Sequence, residues 1–189
     1  MVFNLLSKVV NSVKGGVTAS LKGVSDIAGS VVNSVKDVTT NTLKEAGEFV
    51  EQGLDVPASI VKGAFHAVSD LGTSVVGSVR GVVRGVVEGF AESGRGHDHA
   101  IRGAVGQAVH SAQDFGQDVG ETAVEAVKGS VEAVTNVGGD VAKATKDSVE
   151  AALDTARDIG EGAFNTVKES LTAGIDGAKD IIDSFKPRK

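Results

Sequence analysis

The chain has no cysteine, tryptophan or tyrosine, one methionine and two prolines among its 189 residues. Without cysteine there is neither a disulfide framework nor a thiolate metal site. Seven phenylalanines are the whole aromatic complement, and the formal net charge is −6. Nucleic acid is therefore not an expected partner, because it requires a basic stripe or stacking platforms. No apolar run approaches the roughly eighteen residues of a transmembrane helix. The start, residues 1–10, lacks the apolar core of a signal peptide. The expected location is intracellular and peripheral to a membrane. So few large side chains also argue against a jigsaw core and a compact globular domain.

What the chain has is valine, 25 glycines and a period. Eleven-residue units run in one register from Val2 to Lys186. In each unit five columns, at remainders 2, 5, 6, 9 and 10 on division by 11, are uncharged. Of these 85 positions, only Asp98 and Lys186 carry charge, although 23% of the chain is charged. Words repeat at the same period. Val9-Val10-Asn11-Ser12-Val13-Lys14 returns 22 residues later at Val31–Lys36, and 44 residues after that, in near-identical form, at Val75–Arg80. Eleven residues close in three turns of α-helix, which gives a nearly straight seam. The five columns then form one apolar arc about 130° wide. Residues Val13, Val24, Val35, Val68, Val79, Val131, Val149 and Val167 mark it, and they are the expected lipid-facing set.

The polar columns are sorted as well. Lys14, Lys36, Arg80, Arg102, Lys146, Arg157, Lys168 and Lys179 form a basic column with no acid, beside the apolar arc. Such an edge suits anionic headgroups. The next column holds Asp26, Asp37, Glu48, Asp70, Glu92, Asp114, Glu125, Asp147, Asp158, Glu169 and Asp180 with no base, and reads as a solvated mid-face. On the opposite flank a column of small residues (Ser12, Ser34, Ala67, Gly89, Ala133, Thr166) suits close approach of another helix. So does the four-residue spacing of Gly77, Gly81, Gly85 and Gly89.

These patterns predict an all-α chain of long amphipathic hendecad-repeat helices, hinged near Pro57 and at residues 94–99, and not a compact globular domain. Helices are expected at about 2–55, 57–92 and 99–184. Residues 1–93 form one helical half, kinked at Pro57. Gly94-Arg95-Gly96-His97-Asp98-His99 is the hinge, residues 100–185 form the second half, and 186–189 a basic tail. Each glycine costs a helix about 0.8–1 kcal/mol relative to alanine, so the helices are expected to need a surface to lie on.

No catalytic constellation is present. His97, His99 and His110 are imidazoles of metal-ligand type, but their glycine-flanked setting reads as a solvated hinge. No catalytic residue, metal, cofactor or small-molecule substrate is assigned.

Copies such as Val31-Val32-Asn33-Ser34-Val35-Lys36-Asp37-Val38-Thr39 and Ala163-Phe164-Asn165-Thr166-Val167-Lys168-Glu169-Ser170-Leu171 resemble the eleven-residue motif of group 3 late embryogenesis abundant proteins. Val134-Thr135-Asn136-Val137-Gly138-Gly139 is similar in texture to synucleins, and the repeat as a whole to perilipins. The resemblance implies a non-enzymatic protein that coats or stabilises membranes or lipid droplets, with stress or desiccation protection as its setting. The mean hydropathy of +0.06 departs from the hydrophilic stress proteins and favours adsorption to a surface. The alternative expectation is a self-assembling structural protein, a homo-oligomeric bundle, tube, filament or coat.

Overall fold

The structure, a computed structural model, describes residues 2–46 and 55–187. Among the described residues it is helical throughout, with α1 (Val2–Leu21), α2 (Ile27–Ala46), α3 (Val56–Asp70), α4 (Val75–Glu92), α5 (His97–Asp114), α6 (Val119–Asn136), α7 (Val141–Ile159), α8 (Glu161–Gly174) and α9 (Ala178–Ser184). The predicted helical class holds, but the long hinged rods do not. The helices are short and packed into a compact array.

The chain reverses because of one repeated turn. At Gly72, Gly94, Gly116 and Gly138 the backbone is left-handed, with φ between 63° and 75°, a conformation glycine adopts without steric cost. The bonds at each turn match those of a Schellman motif. At the first turn Gly72 N–H donates to Ser69 O and Thr73 N–H to Val68 O, and the same pair recurs at residues 94 and 95, 116 and 117, and 138 and 139. Ser74, Asp118 and Asp140 then cap the next helix, accepting from the N–H groups of Gly77, Glu121 and Lys143. Each such cap contributes about 1 kcal/mol. Helix plus turn occupies 22 residues, two hendecads, so α4 to α7 begin at 75, 97, 119 and 141.

Two expected joints change character. Pro57 does not kink a helix but sits in the first turn of α3, behind the Asp55 cap, where its missing N–H leaves no bond unmade. The expected first helix, 2–55, is divided by a turn at Gly23 (φ 81°) into α1 and α2. Its last residues, with Glu48 of the acidic column, lie outside the described residues, as do 188 and 189 of the tail. The predicted hinge at 94–99 is half turn and half helix, because His97, Asp98 and His99 already belong to α5.

Alternate helices lie side by side. The helices α1, α3, α5 and α7 form one layer, and α2, α4, α6 and α8 the other. The short α9 packs on α7 and α8. Within a layer neighbours are parallel, since Gly81, Gly85 and Gly89 of α4 meet in order Val31, Val32 and Thr39 of α2. The apolar arcs of the two layers face each other and form one continuous core, from Val13 and Val17 at one end to Leu171 and Ile182 at the other.

Candidate functional site

The residues that the sequence marks for function converge on two places, the space between the layers and the seams within each layer. In the first, Val13, Val35, Val68, Val79, Val149 and Val167 are 0% exposed. Val24 and Val131 are half-buried. All of the expected lipid-facing set but Val24 thus lies in or against the core between the layers. A polar link crosses between the layers where Ser130 Oγ of α6 meets Ser148 Oγ of α7 at 2.5 Å, both side chains buried.

In the second place, half of the basic column pairs with acids of a neighbouring helix. Lys14 of α1 meets Asp70 of α3 at 2.7 Å, and Lys36 of α2 meets Glu92 of α4 at 3.1 Å. Arg80 of α4 grips Glu125 of α6 through two nitrogens, Nε at 2.9 Å and Nη2 at 3.1 Å. Arg102 of α5 reaches Asp147 of α7 at 2.9 Å. The offsets are 56, 56, 45 and 45 residues, each a multiple of eleven plus one. The reason lies in the columns. A basic column stands one residue before an acidic column, and parallel neighbours two helices apart bring one opposite the other. The other four bases differ. Lys146 and Lys179 bond within their own helices, to Glu150 at 3.9 Å and Asp183 at 2.7 Å, and Arg157 and Lys168 are exposed.

The acids of these seams were read from sequence as solvated, and their role was missed. Asp147 has a side chain only 7% exposed, held by Arg102 and by Lys143 Nζ at 2.6 Å. Lys143 also pairs with Asp98 at 2.7 Å, so the one charge that interrupts the apolar columns before the terminus becomes part of the α5–α7 seam. That hydrogen bond from Lys143 holds the Asp98 carboxyl below its usual value of 3.8. The hydrogen bonds from Lys143 to Asp147 and Asp98 raise the lysine in turn. On the other layer Glu88, its side chain 8% exposed, accepts from Arg84 at 2.7 Å and from Asn136 of α6 at 2.8 Å.

The small residues allow the helices to come this close. A Cβ on Gly85 would lie 2.7 Å from Val32 O and 2.9 Å from Val35 Cβ, and one on Gly89 2.7 Å from Thr39 Cβ. Gly81 lies against Val31 and Val32. Gly77 meets only Ser74 of its own turn and faces no other helix. In the small column, Ala67, Gly89 and Ala133 are buried, Ser34 is half-buried, and Ser12 and Thr166 are exposed. The same device serves other seams, as Gly63 faces Val10 O and Val13 of α1, and Gly129 faces the Arg80 backbone of α4.

The histidines stand apart. His97 Nε2 lies 3.7 Å from Asp98, and His110 Nδ1 3.4 Å from Asp114, one helical turn away. His99 is exposed. Among the described residues no group of three or more His, Cys, Asp or Glu could hold a metal ion. Two shallow depressions are among those on the described surface. One of 450 Å³ lies across α1, α3 and α5 beside Asp55, Lys62 and Gln107. The other, of 570 Å³, lies between the 94–96 and 137–139 turns. Among the described residues no helix is long and apolar enough to cross a membrane.

No family model matches the chain, and no curated protein matches it.

Proposed function

We propose that the protein is non-enzymatic and acts structurally, through the packing of its hendecad faces against one another and assembly with further copies of itself. The observation that supports this reading is that most of the marked valines and half of the basic column, which a lipid-coating role would use, are already engaged within the fold. The marked valines are mostly at zero exposure, and Lys14, Lys36, Arg80 and Arg102 are paired across seams. Burial of apolar surface, worth about 25 cal/mol per Å², then comes from helix against helix, and no lipid is needed to make the helices form. The test is far-ultraviolet circular dichroism with sedimentation velocity over a concentration series, with and without anionic phospholipid vesicles. Helix in buffer alone, unchanged by vesicles, with mass rising with concentration, is the expected result. A coil that becomes helical only on vesicles overturns the reading.

A second reading, a coat on a membrane or droplet surface, is favoured by the C-terminal third. Lys146, Arg157, Lys168 and Lys179 are exposed there, and Phe164, Ile175, Ile181 and Phe185 are only partly buried against the core. Basic side chains beside bulky apolar ones suit an anionic interface. A truncation at residue 159 would then abolish vesicle flotation. A paired change such as Val35→Asp with Val79→Asp cannot test this, because both sites are in the core and the fold itself would fail.

A further inference from the structure

The connection between α7 and α8 differs from every turn between α3 and α7. Those turns span four residues, whereas Ile159 of α7 and Glu161 of α8 are separated by Gly160 alone. Gly160 has φ 151° and ψ 170°, a region essentially confined to glycine. Helical hydrogen bonding nonetheless persists on both sides of it. Gly160 N–H donates to Ala156 O at 3.1 Å, and Phe164 N–H donates to Gly160 O at 3.0 Å. No side chain caps the start of α8. The hendecad register also runs through the break without a residue gained or lost, from Val149, Leu153 and Ala156 to Phe164, Val167 and Leu171. Sequence and local bonding therefore both fit a second state, one unbroken helix over 141–174, about 50 Å long.

Straightening would carry α8 and α9 away from their seat. That seat combines small residues in close contact with the larger Phe164, Ile175, Ile181 and Phe185, which are only partly buried against the core. Gly120 of α6 faces Ser170 and Thr166, and Gly174 packs on Val124 of α6. In α8 only Val167 and Leu171 are buried, and in α9 only Ala178 and Ile182. An arm holding so little core is the element cheapest to release. Its apolar face and the vacated surface of α6 and α7 stay complementary, so what fits each is the other half of the same pair on another molecule.

We propose that α8–α9 is an exchangeable arm hinged at Gly160, which docks on α6 and α7 of a second copy to give a reciprocal dimer. This rests on the assembly reading above and supplies its contact. Two copies each lose one internal docking and gain an identical one between chains, so the exchanged dimer is favoured by concentration and by anything that makes the hinge helical. A Cβ at Gly160 would meet nothing within 4 Å. An alanine there is resisted by the backbone conformation of the turn alone, and is welcome in the straight helix.

The experiment uses Gly160→Ala together with a cysteine pair, Val124→Cys and Gly174→Cys. The cysteine-free chain makes that pair unique. A Cβ at 174 lies 3.6 Å from Val124 Cβ, within the range of a disulfide. The pair closes within one chain when the arm is home and between two chains when it is exchanged. Gly160→Ala should double the mass seen by light scattering, with helicity retained, and after oxidation the cross-link should join two chains. The cysteine pair without the alanine should shift from intrachain to interchain cross-links as concentration rises. An alanine variant that stays monomeric with an intrachain cross-link overturns the hinge. If the chain with Gly160 assembles while every cross-link stays intrachain, the exchange is overturned and the assembly reading stands. If that chain is monomeric at every concentration, the assembly reading falls, whatever the alanine variant does.

Discussion

Gly77 and Gly85 occupy the same helix, eight residues apart, and alanine should stabilise the protein at the first and not at the second. Both substitutions gain about 1 kcal/mol of helix propensity. At Gly77 nothing opposes that gain, since the added Cβ meets only Ser74 Cβ and Oγ at 3.5 Å, ordinary contact. At Gly85 the Cβ would stand 2.7 Å from Val32 O, 2.9 Å from Val35 Cβ and 3.1 Å from Lys36 N. Two of these three are backbone atoms, which have no rotamer through which to retreat, so α2 must move off α4 by about half an ångström. Gaps of that size already forfeit a quarter to a half of the local dispersion energy, and overpacking typically costs 1–3 kcal/mol. The expected result is a gain of about 1 kcal/mol for Gly77→Ala, and for Gly85→Ala a stability about 1–3 kcal/mol below that of its sibling. In a chain of this length one kcal/mol moves Tm by about 2–4 °C, so thermal melts followed at 222 nm resolve the difference. Equal upward shifts in the two variants would mean that α2 and α4 do not meet, and that the glycines lie on an open helix surface.

Arg102→Met leaves the nearly buried Asp147 with Lys143 as its remaining cationic contact. Urea melts should show a loss of about 1–3 kcal/mol, whereas Lys14→Met, which breaks a pair exposed on both sides, should cost less than about 1 kcal/mol. Equal losses would show that the α5–α7 seam is no more buried than the surface. Asp154 supplies a pH test. Burial, and then the nearby Asp158, raise its carboxyl above 3.8, so the charged form is disfavoured by folding. That penalty is present at neutral pH and vanishes as pH falls through the raised value. Asp154→Asn should therefore stabilise the protein at pH 7 and lose the advantage in acid. An advantage that is constant with pH would sink the reasoning. Asp98 runs the other way. Its carboxyl is held low by Lys143, so its contribution is present above pH 3.8 and lost as pH falls further.

The period of eleven made the helices, the apolar arc and the sorting of charge legible in the sequence alone. It concealed the turns outside the predicted 94–99 hinge. In the remainder-6 column Val61, Gly72, Val83, Gly94, Val105, Gly116, Val127, Gly138, Val149 and Gly160 alternate. Glycine passes as an uncharged member of an apolar column, so counting charge alone finds a period of 11 where residues 61–160 obey 22. The alternation of β-branched and bare residues was the available signal. The acids at 125 and 147 were harder to place, because a carboxylate in a polar column looks the same whether it faces water or a neighbour's arginine. Only the packing of parallel helices decides between the two, through the offset of four hendecads plus one. Pro57 shows the same limit on a local scale. It stops a helix or starts one, and the Asp55 cap decides which.

The 22-residue unit also sets an arithmetic for length. Both layers use the same columns, and the 45-residue offset joins Arg80 to Glu125 in one layer and Arg102 to Asp147 in the other. A unit is therefore indifferent to the layer it occupies. A duplication of 22 residues would move every later helix to the opposite layer and leave each with equivalent neighbours. One of 11 would keep the hendecad register intact and yet set valine where the chain must turn and glycine where the core needs bulk. From α3 to α7 the array can lengthen in whole steps but not in halves, although by periodicity alone the two changes look equally harmless.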